Sequence, residues 1–153
     1  EFDAWDIWCR KYVLLGMEYY LDICKDTGLK ERIINFLRGA LDYIMAKVGK
    51  GAGQIEITDA SRSWYGINSA SLLEPVVRLY RLTKEKKYLD YAEYIVGTGG
   101  AEGINVIALA YENKIKPYQY GVSKAYEMTS FFEGVLEYYY ETGIEMYRTA
   151  VIN

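Results

Sequence analysis

Apolar residues recur at i, i+3, i+4 and i+7 in six stretches of the chain. This spacing predicts helices at about 6–26, 29–48, 70–82, 86–96, 123–141 and 145–153. Ile33, Ile34, Leu37, Leu41, Ile44 and Val48 trace one apolar stripe, and Lys30, Glu31, Arg38 and Asp42 lie on the opposite, solvated face. Tyr88, Leu89, Ala92, Ile95 and Val96 repeat the stripe further on, and Met146, Tyr147, Ala150 and Val151 begin it a third time. Helix 6–26 differs: it is apolar around most of its circumference, which predicts packing on several sides.

The helices come in pairs, and the pairs share a register. Thr27-Gly28, Thr83-Lys84 and Thr142-Gly143 each stand between two predicted helices, 56 and 59 residues apart. Counting back from each Thr, position −10 is apolar (Met17, Leu73, Phe132) and position −9 is Glu (Glu18, Glu74, Glu133). Positions −7, −6 and −4 are apolar again, as in Val76, Val77 and Leu79. Each unit therefore reads as helix, tight turn, helix. Gly28 and Gly143 suit the left-handed position that closes a helix, and Lys84 takes that position at some cost in strain. Stretches 49–69 and 97–122 connect the units and are expected to be ordered loops folded over one rim, because they carry Trp64, Tyr65, Tyr118 and Tyr120. The fold class is all-α, with tandem helical hairpins. First helices lining an interior and second helices outside it would make three such hairpins half of an (α/α)6 toroid; an open solenoid is the other architecture of this repeat.

Composition narrows the function. The chain has 153 residues and a net charge of −3, with no basic face for nucleic acid and no basic amphipathic helix for an anionic membrane. It contains no His, which excludes within these residues a Ser-His-Asp triad, a His-activated Cys and a His-ligated metal. Cys9 and Cys24 fall on one predicted helix, roughly 22 Å apart at about 1.5 Å per residue, too far to bridge; both are expected to be buried thiols. Gly49-Lys50-Gly51-Ala52-Gly53 lacks the spacing and the Lys-Ser/Thr ending of a phosphate loop. Nothing in the sequence gives a compartment. Seventeen tyrosines, three tryptophans and four phenylalanines are unusual for this length, and they suit either a Tyr-packed core or a ring-lined carbohydrate cavity.

If the first helices line an interior, their N-termini and the loops before them form one mouth. Asp6, Trp8 and Lys11 belong there on the first unit. Trp64, Tyr65 and Asn68 lead into the second. Lys124 and Glu127, at i, i+3 ion-pair spacing, open the third. Trp64 would stack on a sugar face and Asn68 would bond hydroxyls; their structural alternative is a loop anchor and a helix cap. The repeated Glu at −9 would supply the paired carboxylates of a glycosidase, or support the next turn or loop. Glu74 also follows Ser71 at capping-box spacing.

Three segments carry a family resemblance: Trp8-Cys9-Arg10-Lys11-Tyr12-Val13-Leu14-Leu15-Gly16, Ser71-Leu72-Leu73-Glu74-Pro75-Val76-Val77-Arg78-Leu79-Tyr80-Arg81-Leu82-Thr83, and Lys124-Ala125-Tyr126-Glu127-Met128-Thr129-Ser130 followed by Glu133-Gly134. Together they resemble the β-L-arabinofuranosidase family of glycoside hydrolases, over most of the chain. The resemblance implies an (α/α)6 barrel followed by β-sandwich domains, with a zinc-bound cysteine as nucleophile and a glutamate as acid/base. Those residues would lie beyond the matched region, so no catalytic residue, metal or cofactor is assigned within this chain; zinc would belong to the full-length enzyme. Members also hold the sugar with histidines, which this chain lacks. The expected partner is a carbohydrate, and the expected whole-enzyme reaction is hydrolysis of a terminal sugar. Other toroid enzymes, such as an unsaturated-uronyl hydrolase or a polysaccharide lyase, and a non-catalytic helical scaffold are the rival readings. Residues 1–153 read as one partial domain of a larger hydrolase, inactive alone, and a partial ring is expected to self-associate through its open faces.

Overall fold

The computed structural model describes residues 2–61, 63–122 and 124–153. Helices dominate, at 70% of the chain against 4% strand. In order they are α1 (Asp6–Ile23), α2 (Thr27–Lys47), α3 (Ile67–Ala70), α4 (Leu73–Thr83), α5 (Lys86–Gly97), α6 (Val106–Glu112), α7 (Ala125–Thr142) and α8 (Glu145–Ile152). Strands β1 (Gly100–Ala101) and β2 (Ile104–Asn105) form a small antiparallel hairpin, with Gly100 opposite Asn105 and Ala101 opposite Ile104. The chain is all-α.

Three hairpins, α1–α2, α4–α5 and α7–α8, pack side by side with α4 in the middle. Every residue of α4 from Leu73 to Val77 is buried, because this helix meets α1 on one side, α7 on the other and α5 behind. Leu72, Leu73, Val76 and Val77 reach zero exposure, and burying one such side chain contributes about 1.5–3 kcal/mol. The close fit of α4 to α7 depends on Gly134. A β-carbon there would stand 2.8 Å from the Glu74 backbone nitrogen and 2.8 Å from Leu73 Cβ. Behind the first helices, α2 and α5 are joined by polar links. Arg38 reaches Glu85 at 2.5 Å, Lys87 reaches Asp42 at 2.7 Å, and the Tyr91 hydroxyl donates to the Val48 carbonyl at 3.0 Å. The polar face predicted for α2 is thus half solvated and half engaged with the next hairpin.

The three corners are not alike. At Gly143 the chain turns left-handed (φ 69°), as its position predicts, and Lys84 does the same without being glycine (φ 56°). The first corner departs from the prediction. Helix α1 stops at Ile23, and Asp26 caps α2 by accepting a hydrogen bond from the Leu29 backbone at 2.9 Å. Thr27-Gly28 therefore opens a helix instead of closing one: an Asp one residue earlier is the better N-cap.

Helix α1 is also less enclosed than its composition predicts. Tyr12, Val13, Tyr19, Tyr20 and Ile23 are exposed. Cys9 is exposed as well, while Cys24 is buried, so only one of the two thiols lies in the core.

Neither connector is a plain loop. Residues 49–69 close through Gln54, whose side chain accepts from the Gly51 backbone at 2.5 Å and donates to the Met45 carbonyl at 2.7 Å. They then enter a short 3-10 turn, Trp64–Gly66, which runs into α3. The segment 97–122 contains the β-hairpin and helix α6, which packs on α8. Asn105 caps α6 by accepting from the Ala108 backbone at 2.8 Å, and its Asn-x-x-Ala pattern ahead of an apolar run is the signal that the loop reading passed over. Helix α7 begins at Ala125; position 123, where the spacing starts the helix, lies outside the described residues.

Candidate functional site

The N-terminal ends of α1 and α7 and the approach to α3 meet at one end of the first-helix layer, and an aromatic cluster forms there. Trp8 is its hub, edge-on to Trp5 (6.0 Å between ring centres), Tyr12 (5.2 Å) and Tyr126 (5.4 Å). The Tyr12 hydroxyl donates to the Tyr126 hydroxyl at 2.8 Å. Partial burial, and then this bond, push the Tyr12 phenol up to about 12. Lys124 lies over the Trp64 ring at 4.8 Å and the Trp5 ring at 5.8 Å, so residues far apart in sequence share one cation.

Lys124 also pairs with Glu127 at 3.3 Å, as their spacing predicts. Glu127 is 1% exposed, and its Oε2 has no hydrogen-bond partner among the described residues. Beside Trp5, Asn68 is fully buried. Its Nδ2 donates to the Ala4 carbonyl at 3.2 Å, while its Oδ1 and the neighbouring Ser69 hydroxyl find no partner among the described residues. Unsatisfied buried polar atoms cost about 1–3 kcal/mol each, so three under one aromatic rim call for an explanation.

The 3-10 turn that presents Trp64 is strained. Trp64 (φ 55°), Tyr65 (φ 54°) and Gly66 (φ 75°) are three successive left-handed residues. Only glycine fits the third, since a β-carbon on Gly66 would lie 1.9 Å from the Thr58 carbonyl oxygen. Side chains larger than glycine's at positive φ cost of order 1–3 kcal/mol and gather at functional sites. Tyr65 stays exposed, and its carbonyl accepts from the Glu102 backbone at 2.8 Å. Trp8, Trp64, Asn68, Lys124 and Glu127 are thus held around one rim. Asp6 turns instead toward α2, where it pairs with Arg10 at 2.9 Å and accepts from the Phe2 backbone at 3.1 Å; Arg10 lies over Phe2 and Tyr43. Trp5, Tyr12 and Tyr126 belong to the cluster and were not among the residues singled out from the sequence; their proximity to the others depends on how α1 and α7 converge.

Beneath the rim the first helices meet along a charged seam. Lys11 is fully buried. Its Nζ donates to the Ser130 hydroxyl, lies 3.4 Å from Glu74 and sits 5.8 Å from the Trp8 ring centre. Burial pulls the Lys11 ammonium below its ordinary pKa, against the raising effect of Glu74. Glu74 Oε1 accepts from the Tyr19 hydroxyl at 3.0 Å. Ser71 gives its hydroxyl to the Asn68 carbonyl at 2.6 Å, so the capping box suggested by its spacing to Glu74 does not form. One turn on, Arg78 lies 3.4 Å from Glu18, 3.6 Å from Glu137 and 3.9 Å from Asp22, stacked on the Tyr19 ring at 4.2 Å. Glu18 is 1% exposed. Burial raises its carboxyl well above the ordinary range, and Arg78 only partly offsets this. The −9 glutamates of the first two units therefore serve contacts between first helices, while Glu133 is exposed.

There is no His, Cys9 and Cys24 lie near opposite ends of α1, and among the described residues no three His, Cys, Asp or Glu side chains are placed to hold a metal. Among the described residues, no helix is long and apolar enough to cross a membrane. No protein-family model matches the chain, and neither a curated protein nor a solved structure matches it significantly.

Proposed function

We propose that this chain supplies part of the carbohydrate-binding surface of an (α/α)-toroid glycoside hydrolase acting on terminal sugars, arabinofuranosidase-like, with catalysis residing elsewhere in the full enzyme. The observation that carries the reading is the convergence of Trp8, Trp64, Tyr126 and Lys124 at one end of the first-helix layer. Ring faces stack on the apolar side of a sugar, and the exposed Tyr65 and Tyr126 hydroxyls and the Lys124 ammonium are open to its hydroxyls. The strain at Trp64 and Tyr65 supports a role beyond packing, since a loop anchor alone would not call for left-handed aromatics.

Tryptophan fluorescence titration with arabino-oligosaccharides tests this. Saturable quenching is expected, and Trp64→Ala is expected to weaken it about tenfold, equivalent to roughly 1.4 kcal/mol. No response at millimolar sugar, or an unchanged affinity in Trp64→Ala, overturns the reading. The filled seam beneath the rim favours a second reading, a non-catalytic helical-repeat scaffold; it predicts no sugar response with either protein.

A further inference from the structure

Donors and acceptors at the aromatic rim are not balanced, and the imbalance starts beneath it. The Lys11 ammonium has three protons to give and no lone pair to receive one. It donates to the Ser130 hydroxyl and to the Ser130 carbonyl at 3.4 Å, and it faces Glu74 Oε2 at 3.4 Å. The Ser130 hydroxyl oxygen is thereby an acceptor, and its own proton is left for the Tyr12 phenol. The response of Tyr12 agrees: burial and the bond to Tyr126 raise its pKa, and Ser130 lowers it, as a donor to the phenolic oxygen must. Tyr12 in turn donates to the Tyr126 hydroxyl at 2.8 Å. A hydroxyl carries one proton, so a Tyr126 oxygen that receives the Tyr12 proton has its own left to give outward. Tyr126 is 60% exposed.

The rest of the rim is of the same kind. Lys124 carries three N–H donors; Glu127 faces the ammonium at 3.3 Å, and the lysine side chain stays 40% exposed. The indole N–H groups of Trp5, Trp8 and Trp64 donate and cannot accept, and the Tyr65 hydroxyl can turn either way. Lys124 and Tyr126 both lie against the Trp5–Trp8 pair, the first at 5.8 Å from the Trp5 ring and the second at 5.4 Å from the Trp8 ring. The acceptors close by face inward, since Glu127 Oε2 and Asn68 Oδ1 are buried. Glu133, the next carboxylate along α7, stands seven residues beyond Tyr126, about 10 Å away by helical rise. A neutral sugar, whose hydroxyls donate as readily as they accept, does not answer a rim of donors. A carboxylate does, because it accepts on both oxygens and donates on neither.

We propose that the sugar held at this rim is a uronate, its ring over Trp64 and its carboxylate taken by Lys124 and by Tyr126, whose proton is turned outward by the chain from Lys11. The proposal rests on the carbohydrate reading above and narrows its substrate class to acidic sugars.

Tryptophan fluorescence titration with trigalacturonate and with its neutral methyl ester, at one ionic strength, separates charge from ring. The acid is expected to bind about tenfold tighter, the effect of one charge-assisted hydrogen bond. Lys124→Gln and Tyr126→Phe, each confirmed folded by circular dichroism, are expected to shrink that ratio to about threefold. Tyr12→Phe keeps both ligand-facing donors and removes only the proton that turns Tyr126 outward; it is expected to shrink the ratio as well. Equal affinity for acid and ester overturns the proposal and leaves the sugar-binding reading standing. Silence toward both overturns it too, and silence toward arabino-oligosaccharides as well overturns the carbohydrate reading with it. A ratio unchanged in Tyr126→Phe or in Tyr12→Phe also overturns the proposal. So does equal quenching by sodium acetate at the same carboxylate concentration, which would mark a site for any anion and not for a sugar.

Discussion

Adding one methyl group at Gly134 tests the packing that places α4 against α7. In an unhindered helix Gly→Ala gains about 1 kcal/mol of helix propensity. At Gly134 the new carbon would meet a backbone nitrogen and Leu73 Cβ at 2.8 Å, and Leu73 Cγ at 3.0 Å. Favourable carbon contacts begin at about 3.5 Å, so the helices must part by more than half an ångström. Neither backbone nor Cβ can rotate aside. Overpacking of this kind costs typically 1–3 kcal/mol; with backbone and Cβ atoms on both sides the cost falls in the upper part of that range and leaves Gly134→Ala less stable by about 1–2 kcal/mol. For a chain of this size that lowers Tm by about 3–6 °C. The control is Gly39→Ala on α2, where nothing lies within 4 Å of the added carbon; it is expected to raise Tm by about 2–4 °C. Thermal unfolding followed by circular dichroism at 222 nm, on dilute protein, reads both. Stabilisation by Gly134→Ala would refute the close approach of α4 and α7, and with it the order of the hairpins.

Glu18→Gln tests the buried carboxyl. Its folded pKa is raised by burial, so its contribution is full below the ordinary carboxylate pKa and is lost as pH rises through the folded value. Urea unfolding should show the variant gaining on the wild type as pH increases from the acid range to neutrality; a difference independent of pH counts against a buried proton. Arg78→Met leaves Glu18 buried beside no cation and is expected to cost about 3–5 kcal/mol at neutral pH, with much of that loss recovered in the Arg78→Met/Glu18→Gln double variant. Full additivity would show that the two do not interact. Lys84→Gly relieves a left-handed lysine and is expected to stabilise by about 0.5–1 kcal/mol in the same assay, since the Lys84–Glu141 pair that it removes is exposed on the lysine side.

The hairpins were legible because each helix buries a stripe at 3.6-residue spacing, and the Thr corners mark where the stripes break. What escaped depended on a competition between local signals or on contacts distant in sequence. Asp26 outcompetes Thr27 as a cap, so the first corner lacks the left-handed residue that Gly28 seemed to supply. Helix α6 is seven residues long, too short for a periodic pattern to stand out from a buried strand or loop. The rim was half legible: Trp64, Lys124 and Glu127 stood out as residues leading into helices, but Trp5, Tyr12 and Tyr126 join them only because α1 and α7 converge. The meaning of the −9 glutamates was hidden for the same reason. Lys11 and Arg78, which hold Glu74 and Glu18, come from other hairpins.

Position −5 carries Asp22, Arg78 and Glu137 in successive units, and the central guanidinium draws on both neighbours. Three copies of any one unit would set like charges abreast at this level, acid against acid or base against base. Tandem duplication of a single hairpin therefore cannot yield this assembly without divergence at that position. Alternation of sign also tells the units apart during folding: exchanging the middle hairpin for either outer one would leave Arg78 at an edge and two carboxylates facing each other, so the sequence encodes the order of its modules as well as their shape.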